Sequence, residues 1–529
     1  MKTTYLGSWS VILFVQSLLM LPAVAVDAQH ALEVTLAGES SAARVVVRAS
    51  DGSFVAPEGI ALRKTKRGQA YFYADKAFRV TVPAGKTEVH LSGGLEVIPQ
   101  SAVINVQQAT QLRMRLQRWI DMPSQGWYSG DSHVHLHTGG KYPVNLQDAL
   151  VAARAEGVNY VNLCVSNNLG DDIRDADLIN GQPHPLSTDE HVLFFGEEMR
   201  SSIYGHMQFF GIRKLVEPQY TGFDNTPHEN DFPANYTLAA EACRQGGLVT
   251  YAHPMFADQP LPFGDDPTAP NGAARELPVD AMLGVVQAVD LICYNSDEKR
   301  STDLWYRLLN CGLKLSACVG TDALLDQSTD PLGGGRVYVQ TAGKFSHANW
   351  LAGLRSGRTF VTNGPLLELT VDETRIGATC QRAAGELDVR ARVQSRVPFT
   401  QIEVIVNGEV VEERKCAPPA KADSVQTEQF QVAIPIKHSS WVALRVQGPD
   451  HPAIFDGPAF AHSSPVYVEI DDKPIARPQD AAYFVDWIDR LLRVVAARDR
   501  YASASERQAV ERLFRRARDR YQKLAEATP

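Results

Sequence analysis

GDSHVHLH, residues 130–137, is the stretch on which the reading of the whole chain turns. In an extended segment a two-residue spacing puts His133 and His135 on one face, and His137 continues that register. Gly139 and Gly140 follow and let the backbone turn away. A strand ending on closely spaced imidazoles offers nitrogen ligands that suit zinc, iron or manganese. His-x-His alone is a weak signal, because histidines in turns and cores produce the same spelling. The residues downstream decide.

From about residue 122 short strands alternate with helices. Residues 145–157 spell a helix: Asn145 caps it, Leu146, Ala149, Leu150 and Ala153 recur at helical spacing, and Gly157 stops it. The strand VNYVNLCV comes next. HVLFFGEE, MQFFGI, LVTYAHP, VDLICYN, LKLSACVGTD and TFVTNG then read as further strands, many followed by helical text such as LAAEACRQGG or WLAGLRSG. This recurrence predicts an α/β architecture of β/α-barrel type, with polar clusters at the strand ends where such folds place their chemistry. The clusters are His133 with His135, Glu197 with Glu198, His206 at the start of its strand, His253, and Asp322.

The flanking text differs. Residues 1–28 carry Lys2, an apolar run and the small residues Ala23, Ala25 and Ala28, which is the pattern of a cleaved secretory signal. The expected location is therefore outside the cytoplasm, periplasmic or extracellular, without stable membrane insertion after processing. Residues 29–122 are strands and turns and predict a β-sandwich; residues 123–365 hold the barrel. Residues 366–475 are a second β-rich run, with a hairpin signal at Asn407-Gly408. Residues 476–529 spell two helices, one with Phe484, Trp487, Ile488, Leu491 and Val495 on its apolar face, the other with Ala509, Leu513, Ala517, Tyr521 and Leu524.

At 529 residues the chain is long enough for several domains, and 44% hydrophobic with 21% charged residues is the composition of a globular protein. The formal charge of -9 gives no reason to expect nucleic acid as a partner. The seven cysteines form no Cys-x-x-Cys pair, and only Cys380 and Cys416 share a region in which one disulfide could form.

The ordered set SGDSHVH (129–135), GEEMR (196–200), GHMQFFG (205–211), AHP (252–254), GTD (320–322) and GRTFVTNGP (357–365) resembles the polymerase and histidinol phosphatase (PHP) superfamily of metallohydrolases, and within it the CehA/McbA-type branch. The resemblance covers roughly residues 126–365. It implies a distorted (β/α)7 barrel, flanked here by two β-sandwiches and a C-terminal helical hairpin. It also implies a polynuclear site in which His133, His135 and Asp322 hold one metal, while Glu198 bridges to a second held by His206 and His253. The choice of Glu198 over its neighbour Glu197 rests on the family match. Two divalent transition metals, zinc, manganese or iron, are the implied cofactors.

The departures from the family pattern are specific. Where its members carry Asp-His this chain has Ser166-Asn167, and where they carry Asp-x-His it has Asp322-Ala323-Leu324. These are largely ligands of a third metal, so their joint loss implies a pair. The chemistry the resemblance implies is hydrolysis of an ester, phosphoester or amide by a metal-activated water, the partner being a small-molecule or polymer-derived ester substrate, with Asp322 also able to orient that water. Tyr204, Tyr251, Tyr294, Asn295, Asn167 and Arg336 are candidates for the pocket wall, Arg336 as a clamp for an anion. The competing reading is a secreted binding module with a degenerate site, recognising a polysaccharide or peptide.

Overall fold

The computed structural model describes residues 28–165, 173–257, 262–419 and 424–527. The expected leader falls almost wholly outside these residues, and Ser166 and Asn167 lie outside them as well. Among the described residues no helix is long and apolar enough to cross a membrane.

Residues 28–118 form two facing sheets. One contains four strands, with Gln29–Gly38 between Ala77–Pro83 and Thr110–Arg118; the other contains five, with Ala42–Arg48 at its centre. Alternation along the strands supplies the core between them, with Leu32, Val34, Val45, Phe72, Val80 and Val89 fully buried. This sandwich is riveted to the barrel by a buried ion pair of 2.8 Å between Arg44 and Glu156.

The central sheet is curled into a distorted barrel, the architecture expected from the sequence. Trp127–His135, Tyr160–Val165 and Val192–Ser201 run parallel to one another, as do Leu248–Tyr251, Ala288–Ile292 and Ser316–Val319. Between the two sets lies Gly205–Phe210, antiparallel to both neighbours. That reversal explains why His206 begins its strand: an antiparallel strand starts where its neighbour ends, and the register pairs His206 with Arg200 and Gln208 with Glu198. The first crossover helix, Leu146–Glu156, ends as its sequence dictates. Asn145 accepts from the backbone of Gln147 and Asp148, Asp148 closes a capping box, and Gly157 adopts a left-handed conformation at φ 63°.

The sheet continues past the barrel, because Thr359–Thr362 pairs with Phe460–Ser463 of the C-terminal β region. A smaller sheet containing Leu366–Val371, Gly385–Ser395 and Gln426–Ile436 packs over it. The hairpin expected at Asn407-Gly408 is present, both residues having positive φ, 53° and 92°. No bridge joins Cys380 to Cys416; all seven cysteines are free thiols.

Helices Pro478–Arg498 and Ala504–Glu526 form an antiparallel hairpin docked on the barrel, with Trp487 donating to the Arg275 carbonyl and Tyr521 to that of Pro278, each at 2.8 Å. The first helix buries the expected face. On the second the buried stripe is Val510, Phe514, Ala517 and Tyr521, whereas Ala509, Leu513 and Leu524 are only half-buried. The stripe is thus rotated by about one residue, because the larger Phe514 takes the central position.

Leu163, on Tyr160–Val165, is 1% exposed within the barrel core. Leu163→Ala is expected to destabilise the chain by about 2–5 kcal/mol. Urea unfolding in the presence of chelator, which removes any linkage to bound metal, measures this directly.

Candidate metal centre

His133 and His135 close the first barrel strand, and both are buried. The pairing register shifts between Asp131 and Val134, a bulge that re-aims the strand end. Their Nε2 atoms face each other at 2.9 Å. Asp322 Oδ1 lies 3.4 Å from His133 Nε2 and 3.2 Å from His135 Nε2.

Glu198 is divided between two sets of partners. Its Oε2 stands 3.6 Å from His133 Nε2 and 3.5 Å from His135 Nε2. Its Oε1 is 3.0 Å from His206 Nδ1 and 3.7 Å from His253 Nε2. One oxygen per side is the posture of a bridging carboxylate. Glu197 points the other way: its Oε2 accepts from the Val216 amide at 2.8 Å, and burial pushes its pKa far above the usual carboxylate range. The backbone alternation of the strand therefore separates the two glutamates, and Glu198 is the one that reaches the histidines.

Two groups of ligand atoms result, His133–His135–Asp322 and His133–Glu198–His253, each with its atoms within 4.8 Å of one another. His206 meets Glu198 but belongs to neither group. The spacing fits a metal. Two ligand atoms held about 2.1 Å from one ion in tetrahedral geometry stand about 3.4 Å apart, and the separations of Asp322 and Glu198 from the two imidazoles run from 3.2 to 3.6 Å. The ring chemistry fits as well. His135 Nδ1 faces the Cys164 carbonyl at 3.0 Å, which only an N–H can satisfy, so its Nε2 is bare. His253 Nδ1 is buried without a partner.

The charges agree with this assembly. Burial opposes ionisation of Glu198, but His133, His206 and His253 outweigh it and hold the carboxyl well below its usual range. Asp322 is likewise held down to about 2 by His133 and His135 against the effect of burial. Burial lowers His206 to about 4, leaving a neutral imidazole with a lone pair. Largely buried, pre-organised carboxylate and imidazole ligands of this kind constitute a catalytic, metal-dependent active site.

The backbone around the ligands is constrained. Asp322 and His253 have positive φ, 60° and 28°, uncommon for residues with a side chain and concentrated at functional sites. The Asp322 amide donates to the His133 carbonyl at 2.8 Å, bringing the two strand ends together. Gly320 permits that approach, since a Cβ there would lie 2.4 Å from the His133 Cβ.

Three residues that the motifs did not single out hold this arrangement. Asp131, fully buried, accepts from the amides of His133 (3.2 Å), Thr321 (3.0 Å) and Gly333 (2.8 Å) and from the Thr321 hydroxyl (2.6 Å). Gln208 and Asp290 stand behind His133. Asp131 had a legible signal, an acid two residues before the first histidine. Gln208 and Asp290 had none.

Several expected wall residues are committed elsewhere. Arg336 is no anion clamp: buried, its guanidinium donates to the carbonyls of Gly333, Glu156 and Gly157, the last two at the C-terminal end of the first crossover helix, and it serves to tie loops together. The hydroxyls of Tyr204, Tyr251 and Tyr294 bond to Tyr501, Asp280 and the Pro331 carbonyl. Asn295 is exposed and accepts from Lys66. His137 is held by Asp175 at 2.8 Å and by the Val144 carbonyl at 3.0 Å, away from the ligand groups.

No family model matches the chain, and no curated protein matches it. Among solved structures it is similar to a lesion-specific endonuclease from Pyrococcus furiosus, at 12% identity and a TM-score of 0.27, covering 44% of this chain and 56% of that one. It is also similar to Endonuclease Q in complex with a 27-mer duplex bearing an abasic lesion, at 13% identity and a TM-score of 0.25, again covering 44% and 56%. The chain thus matches just over half the length of each. Both proteins are named for action on nucleic acid; for this chain the exclusion of that partner class is withdrawn on a physical ground. A net charge of -9 averages over the whole surface and says nothing about the local field at one groove.

Glu198→Gln keeps the volume but removes the negative charge between the two groups. Metal per chain, read by elemental analysis, is expected to fall by at least one equivalent, with unfolding in chelator unchanged within about 1 kcal/mol. Glu197→Gln, on the opposite face, is expected to leave metal content at the wild-type level.

Proposed function

We propose that the protein is a metal-dependent hydrolase of the CehA/McbA-type branch of the PHP superfamily, acting on an ester, phosphoester or amide bond. The observation that carries this reading is the division of Glu198 between the two ligand groups, Oε2 toward His133 and His135 and Oε1 toward His206 and His253. Bound divalent ions would supply acidification of water and polarisation of a scissile carbonyl or phosphoryl group.

The chain's own residues do the rest. His133, His135 and Asp322 would hold one ion, and Glu198 with His253 the other, His206 orienting Glu198 through its 3.0 Å contact. Asp322 is the least enclosed of the carboxylates, its side chain 22% exposed, and is the group able to orient a water from the open side. The preformed ligand set supports hydrolysis over the binding-module reading, which expects a collapsed site. The order of the motifs along the barrel supports the branch assignment. The sequence pattern of residues 1–28 supports export to the periplasm or beyond.

Elemental analysis of protein from the native host is expected to give two zinc, manganese or iron ions per chain. Three tightly held ions would overturn the pair. Hydrolysis of a panel of carboxylic, carbamic and phosphate esters is expected to vanish with chelator and return with metal. N-terminal sequencing of the same material is expected to begin near Val26 or Gln29.

A further inference from the structure

Gln208 lies on Gly205–Phe210, two residues beyond His206, and is fully buried. One end of its side-chain amide stands 2.9 Å from His133 Nδ1 and 3.0 Å from Asp290 Oδ2. With the NH2 group at that end, Oε1 is left buried without a partner. That orientation also forces a tautomer. A donor aimed at His133 Nδ1 requires a lone pair there, so the ring proton sits on Nε2, the atom that faces Asp322 and Glu198. An imidazole protonated on Nε2 has no electron pair to give a metal through that atom.

A half-turn about the last side-chain bond exchanges the two ends of the amide. The oxygen then accepts from His133 Nδ1–H, and Nε2 is bare. The neighbouring Asp290 carboxyl, 3.0 Å from the same amide atom, donates to that oxygen when it carries its proton. His135 shows the same logic with a fixed acceptor, the Cys164 carbonyl, behind its Nδ1.

We propose that Gln208 is the positioning residue of His133: in the metal-loaded protein its amide oxygen accepts the His133 Nδ1 proton and leaves the single Nε2 lone pair free on the side of His135 and Asp322. His133 Nε2 lies within ligand distance of both groups, so this one amide sets the state of the nitrogen at their centre. The inference rests on the metal-binding reading above and concerns affinity, not turnover.

Zinc affinity of the full chain, measured by competition with a chromophoric chelator, tests it. Gln208→Met, which removes the acceptor at similar length, is expected to weaken zinc binding by about tenfold to a hundredfold. Gln208→Glu retains an oxygen acceptor and is expected to stay within about threefold of wild type. Wild-type affinity in the Met variant, or equal loss in both variants, overturns the proposal. A second measurement needs no Gln208 variant: nitrogen NMR of 15N-histidine-labelled, zinc-loaded protein, with His133 assigned by difference against His133→Gln. A protonated Nδ1 on a ring ligating through Nε2 is the expected result, and ligation through Nδ1 overturns it. Neither measurement reads hydrolysis, so a zinc-loaded chain that cleaves no ester fails the functional reading alone.

Discussion

The Asp131 carboxylate is the interaction on which the site depends. Two oxygens accept four hydrogen bonds, from His133, from Thr321 twice and from Gly333. These donors lie on the first barrel strand, on the turn that carries Asp322, and on the glycine-rich loop beyond it. Strands distant in sequence are thereby held in one register at the end where the ligands project. Burial makes ionisation of Asp131 costly, and the four donors offset that cost; losing them would leave an uncompensated buried charge.

From that anchor the geometry follows in layers. The Asp322 amide bonds to the His133 carbonyl, and the Leu325 amide to that of His135, so the two strand ends are laced backbone to backbone. Gly320 gives the closeness, and the positive φ of Asp322 turns its carboxylate back toward the histidines. Across the barrel the antiparallel strand Gly205–Phe210 delivers His206 to Glu198 and Gln208 to His133 from one of its faces. The result is an arrangement in which negative carboxylates and imidazole nitrogens are confined at ligand spacing. Their mutual attraction without a metal is partial compensation for the burial of each.

The flanking elements close the barrel from outside and take no direct part in the ligand groups. The N-terminal sandwich places Arg44 on Glu156, and its hairpin sets Lys66 against the Tyr294 carbonyl and Asn295, so one flank reaches the strand ends. The C-terminal hairpin reaches the loop before Glu276, where Arg498 bonds the Thr268 carbonyl, and the same guanidinium pairs with Asp231. Both contacts constrain loops that adjoin ligands, which is how elements remote in sequence bear on the stiffness of a site.

Much of this was legible in the chain itself. Periodicity and capping determined the strands, the first helix and its ends at Asn145 and Gly157, because those signals are local and the structure agrees with them. The spelling of the histidine, glutamate and aspartate motifs, together with the family resemblance, named six ligand candidates, Glu198 among them, that the fold brings together. Tertiary structure alone decided the remainder. Arg336 carries a charge that the sequence can read, but only the packed loops show its guanidinium consumed by three carbonyls. The helical stripe was displaced to Val510 and Phe514 because packing against the barrel, not periodicity, chooses between adjacent faces. Gln208 and Asp290 are ordinary residues in apolar strands, and their bearing on His133 arises from a register between strands more than 70 residues apart, which no local pattern encodes.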